Sequence, residues 1–244
     1  MGLATFKGGV HPYEGKELSE SKPIQVLMPK GEMVFPLSQH IGAPAKPLVK
    51  KGDQVLAGQI IAEAGGFISA NVLSSVSGTV KAIEPRRVAN GAMVNSIIVE
   101  NDGEYKTVEG VGEDRDYTKL SKEEIRGIVK DAGIVGLGGA GFPTHVKLTP
   151  KDDSKIDYVI VNGAECEPYL TSDYRLMMEE PEKVVGGLKV MLQLFENAQG
   201  VIGIENNKPE AIKKMKELVK DEPKISVCEL LTKYPQGGQR SLIY

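Results

Sequence analysis

The apolar pattern of this chain changes period near residue 120, so two kinds of fold share one polypeptide. Over residues 34–100, short apolar runs at 47–49, 54–56, 60–62, 72–76, 79–83 and 96–99 alternate with turn signals. Those signals are Lys51-Gly52-Asp53, Gly65-Gly66, Ser77-Gly78 and Asn90-Gly91. Strands so short, with turns so frequent, predict a small β sandwich or barrel. From residue 121 the spacing becomes helical. Ser121 and Glu124 form a capping box, Ile125, Ile128 and Val129 share one face, and Gly133 marks the stop. Apolar strands at 158–161, 201–204 and 225–231 then alternate with helices at 181–197 and 209–220. That alternation predicts a mainly parallel, layered α/β region. Residues 1–33 read as an irregular arm with a short strand at 24–28, and residues 101–120 as an acidic linker with one edge strand. The expected division is therefore 1–33, 34–100, 101–120 and 121–244.

Composition narrows the function classes. The chain has 244 residues, 41% hydrophobic and 26% charged, which suffices for a sizeable core. A net charge of −3 with no basic excess argues against nucleic acid as a partner. No apolar run approaches the roughly 18 residues of a membrane span, and the first residues lack the apolar core of a signal peptide. The expected location is the cytoplasm, with any membrane role exercised through a partner protein. The two cysteines, Cys166 and Cys228, suggest a reducing compartment and are too few for an iron–sulfur cluster, which takes four thiolates.

Three segments carry residues suited to cofactor chemistry. The first is Gly136-Leu137-Gly138-Gly139-Ala140-Gly141-Phe142-Pro143-Thr144. Its glycines let backbone N–H groups approach an anion closely, and Lys147 follows near enough to neutralise a phosphate. Gly136, Gly138 and Gly141 satisfy G-x-G-x-x-G, but the segment follows a helix, not a strand, and Pro143 interrupts what comes next. The dinucleotide fingerprint is rejected on that ground, and an anion cradle is retained against the plainer reading of a glycine-rich surface turn. The second is Asn162-Gly163-Ala164-Glu165-Cys166-Glu167-Pro168, at a strand's carboxyl end, where α/β folds place ligands. Asn162 is a donor for a flavin or ribose. Glu165 and Glu167 would share a face if the segment were extended, with one carboxylate accepting from ribose hydroxyls. The third is Tyr234-Pro235-Gln236-Gly237-Gly238-Gln239-Arg240, after the strand at 225–231, where Gly237 and Gly238 could admit a nucleotide. His11, His40 and His145 are dispersed and show no metal-ligand spacing. No side chain is assigned as catalytic or as a metal ligand.

These segments, in this order, resemble the flavin subunit of respiratory NADH:quinone oxidoreductase and its relatives. That family has a G-x-G-G-x-G-F-P-T loop that wraps FMN and an N-x-x-E-x-E-P segment. The resemblance implies that Gly136, Gly138, Gly139, Lys147 and Asn162 contact flavin, that Phe142 lies against the nicotinamide ring, and that Glu167 contacts the nucleotide. Thr5-Phe6-Lys7-Gly8-Gly9-Val10-His11-Pro12, Gln39-His40-Ile41-Gly42-Ala43-Pro44, Val49-Lys50-Lys51-Gly52-Asp53 and Ser75-Val76-Ser77-Gly78-Thr79-Val80 look like the RnfC family of the Rnf electron transport complex. The fold implied is a barrel-sandwich hybrid, similar to biotinyl and lipoyl carriers, followed by a Rossmann-like α/β FMN/NADH-binding domain. The function implied is electron exchange among NAD(H), FMN and iron–sulfur clusters in an ion-translocating ferredoxin:NAD+ oxidoreductase. The implied partners are the other Rnf membrane subunits and the ferredoxin-side iron–sulfur subunit, with this chain peripheral on the cytoplasmic face.

Departures from the pattern keep other readings open. Leu137 stands where the respiratory proteins carry Arg, Ala164 where they carry Asp, and Gly238 and Gln239 replace a Glu pair. The family's later Asn-rich segment and its two four-cysteine motifs do not appear, so the sequence reads as an N-terminal part. The two 4Fe–4S clusters are expected only in the longer protein. The alternatives are a soluble relative, such as cobalamin reductase or the electron carrier of proline reduction, and a non-catalytic scaffold. A covalent carrier is disfavoured, because no Lys occurs between Lys51 and Lys81 to bear a lipoyl or biotinyl group.

Overall fold

The computed structural model describes residues 3–243. Met1 and Gly2 of the predicted arm, and Tyr244 at the end of the predicted α/β region, lie outside the described residues. Packing divides the chain into two compact units, Leu27–Lys151 and Met1–Val26 with Asp152–Tyr244.

In the unit Leu27–Lys151, seven strands form two antiparallel sheets: β1 (Glu32–Pro36), β2 (Lys46–Pro47), β3 (Gln54–Val55), β4 (Ile60–Glu63), β5 (Val72–Leu73), β6 (Gly78–Arg87) and β7 (Met93–Asn101). One sheet has the order β1-β7-β6-β3 and the other β2-β4-β5. Phe35, Leu37, Val55, Ile61, Val76 and Ile97 are among the side chains that fill the core between them. The Asn90-Gly91 signal closes the long β6–β7 hairpin, with the Asn90 side chain accepting from the Ala92 amide at 3.0 Å. Both strands outrun their apolar runs because backbone pairing continues through polar residues. In the run at 72–76 the strand proper covers Val72 and Leu73, Ser74 still exchanges backbone bonds with Gln59 and Gly58, and beyond it the Ser74 hydroxyl donates to the Val76 carbonyl at 2.7 Å. The strand expected at 24–28 does not form. Pro23 and Pro29 bracket it, and proline offers no N–H to a ladder. The linker holds a single bridge, Thr107 to Ala57, and a 3-10 turn at Tyr117–Lys119.

Helix α1 (Lys122–Asp131) begins at the expected capping box and ends before Gly133, whose φ of 62° suits a residue without a Cβ. The glycine-rich segment follows, and then a single turn, α2 (Thr144–Lys147).

In the other unit, β8 (Tyr158–Gly163), β9 (Gln199–Glu205) and β10 (Ile225–Leu230) form a parallel sheet in the order β10-β9-β8. Helices α3 (Ser172–Glu179), α4 (Pro181–Leu192) and α5 (Pro209–Leu218) pack on one face, burying Met177, Leu188, Ile202, Ile204, Ile212 and Met215. Pro181 and Pro209 each open their helix, where the missing N–H costs no bond. Helix α4 stops five residues before the expected end, while Leu194 and Phe195 continue the apolar pattern as buried turn residues. A last short helix, α6 (Gln239–Ile243), follows the third cofactor segment. The N-terminal arm joins this unit as far as Val26. Ala4 bridges Leu230 and Val10 bridges Tyr234, so the arm borders β10.

Candidate functional site

Candidate residues fall into two groups, one in each unit. In the unit Leu27–Lys151, the glycine-rich segment is a closed loop. The Gly136 amide donates to the Phe142 carbonyl at 2.8 Å, the Thr144 amide donates to Ile134 at 2.9 Å, and Val135 bridges Pro143. The loop tip projects outward. Leu137 is 95% exposed, and no protein atom lies within 4 Å of where a Cβ at Gly138 or Gly139 would sit. That open ground over two Cβ-less residues lets a ligand reach the backbone. The Lys147 ammonium lies 5.8 Å from the Phe142 ring centroid, so the cation and the aromatic ring of the expected site are neighbours at the loop's base.

In the other unit, the carboxyl ends of all three parallel strands meet. Asn162, exposed at the end of β8, donates from Nδ2 to the Gly237 carbonyl at 2.8 Å. The Gly237 amide donates to Cys166 Sγ at 3.1 Å, and a Cβ on Gly237 would press on that sulfur. The second and third segments are thus bonded to one another. Gly238 continues the turn, its amide donating to the Pro235 carbonyl at 3.0 Å, and the Tyr234–Pro235 peptide is cis.

The segment after β8 is not extended, so the condition under which Glu165 and Glu167 would share a face is not met. Glu165 adopts φ 54° and is buried, whereas Glu167 is exposed. The Glu165 carboxylate accepts from the Asp173 amide at 2.6 Å and the Tyr174 amide at 3.4 Å, so it serves the otherwise unpaired N–H groups that begin α3. Burial nonetheless holds its carboxyl above the usual range, with the Asp173 amide opposing.

Sequence reasoning missed the ionic cluster beneath these loops. Glu205 ends β9 and Lys208 precedes α5, and both are buried. The Lys208 ammonium donates to the Ala164 carbonyl at 2.7 Å and to Asn207 Oδ1 at 3.0 Å, and lies 3.5 Å from Glu205. The other Glu205 oxygen accepts from the Lys233 amide at 3.2 Å. Desolvation pushes Lys208 below the ordinary lysine range and Glu205 above the ordinary carboxylate range, and their mutual attraction opposes both shifts. Lys16, from the arm, donates to the carbonyls of Glu165 at 2.8 Å, Glu167 at 3.2 Å and Leu170 at 2.7 Å. Two buried lysines therefore hold the 164–170 loop by its backbone. The signal was available: the end of β9 is a strand's carboxyl end like the other two, and Glu205-Asn206-Asn207-Lys208 stands there.

Cys166 is buried, and its thiol is pushed up first by that burial, with the Gly237 amide opposing. Cys228 is more accessible. A disulfide-exchange reagent at mild alkaline pH is therefore expected to label Cys228 first, with Cys166 slower by about tenfold. Single-cysteine variants, followed by absorbance, measure the two rates.

The pieces define a class: a two-sheet antiparallel β domain, and an α/β region with loops of the cofactor-binding kind at the carboxyl ends of its parallel strands. Residues 4–104 match the family model described as the RnfC barrel sandwich hybrid domain, and residues 129–244 match that described as the Nuo51 FMN-binding domain. Over 99% of its length the chain is 45% identical to the C component of the proton-translocating ferredoxin:NAD(+) oxidoreductase complex of Clostridium ljungdahlii, covering 52% of that protein. It is 45% identical to the Na(+)-translocating counterpart of Acetobacterium woodii, covering 98% of this chain and 54% of that one. It is also 38% identical to the C component of the ion-translocating oxidoreductase complex of Haemophilus influenzae, covering 99% of this chain and 37% of that one. Over its own length the chain belongs to the RnfC family, and it spans about half the length of the first two relatives.

Proposed function

We propose that this chain supplies the flavin- and nucleotide-binding part of an Rnf-type electron-transfer protein, and that the loop of Gly136, Gly138, Gly139 and Gly141 cradles flavin phosphate through the backbone amides of its tip, while the Gly136 amide, held by the Phe142 carbonyl, closes the loop. The observation that carries this reading is the open tip of the glycine-rich loop, where nothing beyond the adjoining residues lies within 4 Å of a Cβ placed on Gly138 or Gly139. Bound FMN supplies the capacity to accept a hydride and release single electrons. The chain's own residues bind and orient. Lys147 offsets phosphate charge, and Phe142 offers a flat surface to the nicotinamide. Asn162 donates to the flavin, and its existing bond to Gly237 fixes its direction. Glu167 is the carboxylate that meets nucleotide hydroxyls, because it is exposed while Glu165 is engaged by α3. Tyr234, Gly237 and Gly238 border the nucleotide. Glu165 shapes the loop that presents Glu167.

By function, the glycine-rich loop groups with residues 121–244 as a Rossmann-like region, and residues 34–100 act as the barrel-sandwich domain. Two 4Fe–4S clusters, held outside the residues of this chain, would supply single-electron acceptors, and ferredoxin, NAD(H) and the Rnf membrane subunits would be the partners. No helix among the described residues is long and apolar enough to cross a membrane. A peripheral position on the cytoplasmic side therefore depends on those subunits.

Anaerobic NADH added to the flavin-loaded, natural full-length polypeptide tests the reading. Bleaching of the flavin absorbance is expected. Flavin that binds but is not bleached moves nucleotide oxidation elsewhere and contradicts the roles given to Phe142 and Glu167.

A further inference from the structure

The barrel-sandwich domain does more than precede the glycine-rich loop, because both legs of that loop rest on it. The outgoing leg leaves α1 at Gly133, where a Cβ would lie 2.5 Å from the Asn71 carbonyl oxygen. The returning leg passes Gly141, at φ 57°, where a Cβ would lie 2.9 Å from the Gln39 carbonyl oxygen and 3.1 Å from His40 Cα. Between them, the Ile41 amide donates to the Ala140 carbonyl at 3.1 Å.

The segment 39–43 is itself fixed. The Ala43 amide donates to the Ile68 carbonyl at 2.9 Å, and the Ser69 hydroxyl donates to the Ala43 carbonyl at 2.8 Å. His40 is the joint. It is buried, and Nε2 lies 3.2 Å from the Ala70 amide. An amide N–H only donates, so Nε2 is unprotonated. The proton is therefore on Nδ1, which donates to the Ile41 carbonyl at 3.2 Å. The β4–β5 hairpin, whose tip would bear the lysine in a covalent carrier, instead buries Ser69 and Ala70 against this joint.

We propose that His40 is a positioning residue: as a neutral imidazole it ties the β4–β5 hairpin to Ile41, whose amide holds the glycine-rich loop in its ligand-ready shape. The inference rests on the flavin reading given above, and goes beyond it by giving the barrel-sandwich domain a part in the same site. Preorganised supports of this kind fix the groups that touch a ligand.

The test is FMN affinity of the natural full-length polypeptide by fluorescence quenching, for wild type, His40→Leu, His40→Gln and Gly141→Ala, with melting temperatures taken without flavin. His40→Leu and Gly141→Ala are expected to weaken binding by about tenfold, equivalent to one buried hydrogen bond. His40→Gln is expected to restore most of the affinity, because an amide offers the same acceptor and donor. FMN binding by His40→Leu as tight as wild type, or glutamine no better than leucine, overturns the proposal. If leucine lowers the melting temperature below the assay, the other two variants decide. Wild-type affinity in both overturns it, and loss in Gly141→Ala with recovery in His40→Gln supports it. A wild type that binds no FMN overturns the flavin reading itself, and this inference with it.

Discussion

Replacing Lys208 by methionine is expected to cost about 3–5 kcal/mol of folding stability, the scale for removing one member of a buried ion pair. The side chain keeps its length and apolar stem, so the loss comes from charge and hydrogen bonding. Glu205 would remain buried with the Lys233 amide and the weaker attraction of Lys16, and the Ala164 carbonyl and Asn207 side chain would lose their donor. Glu205→Gln alone is expected to be milder, because the amide can still accept from Lys233. Combining the two should cost less than their sum, with an interaction energy of about 0.5–3 kcal/mol. Urea denaturation of the four forms measures the cycle. A single Lys208→Met loss under about 1 kcal/mol would mean that water reaches the cluster and relieves it.

Gly138→Val is expected to weaken FMN binding by about a hundredfold while leaving the apo protein's melting temperature unchanged. The two halves of that expectation have separate causes. Nothing lies within 4 Å of a Cβ at Gly138, and its φ is not in the left-handed region, so the substitution strains nothing. The same open ground is where a flavin phosphate would sit, and a branched side chain fills it. Gly139 makes a poorer probe, since its φ of 100° penalises any side chain whether or not a ligand binds. Equal flavin affinity in Gly138→Val and wild type would remove the loop from the binding site.

Local chemistry was legible in the sequence, and long-range partnership was not. The Ser121–Glu124 capping box, the Gly133 stop, the prolines that open α4 and α5, and the Asn90-Gly91 turn are decided within a few residues of themselves. Helix α3 escaped notice because its N-terminus carries no local cap. Its Asp173 and Tyr174 amides are met by Glu165, eight and nine residues back across an irregular loop. The strand expected at 24–28 failed for the converse reason. Its apolar residues have the composition of a strand, but nothing in a run of side chains says whether a neighbouring backbone will pair with it.

The candidate site divides in the same way. Its glycines, Asn162 and the acidic pair were visible as residue types at strand and helix ends. Which acid is free and which is consumed by the fold depended on a positive φ at Glu165, which no propensity predicts for a glutamate. No local pattern singles out Lys16 or Lys208 in the sequence. They become structural only because the arm and the end of β9 bring them under one loop.

Amide hydrogen exchange of the natural full-length polypeptide, with and without saturating FMN, shows whether the glycine-rich loop is where flavin binds. Protection is expected to rise across residues 136–141, where the amides of the loop tip meet the flavin phosphate, and in residues 162–168. FMN that binds while exchange at 136–141 is unchanged would contradict it.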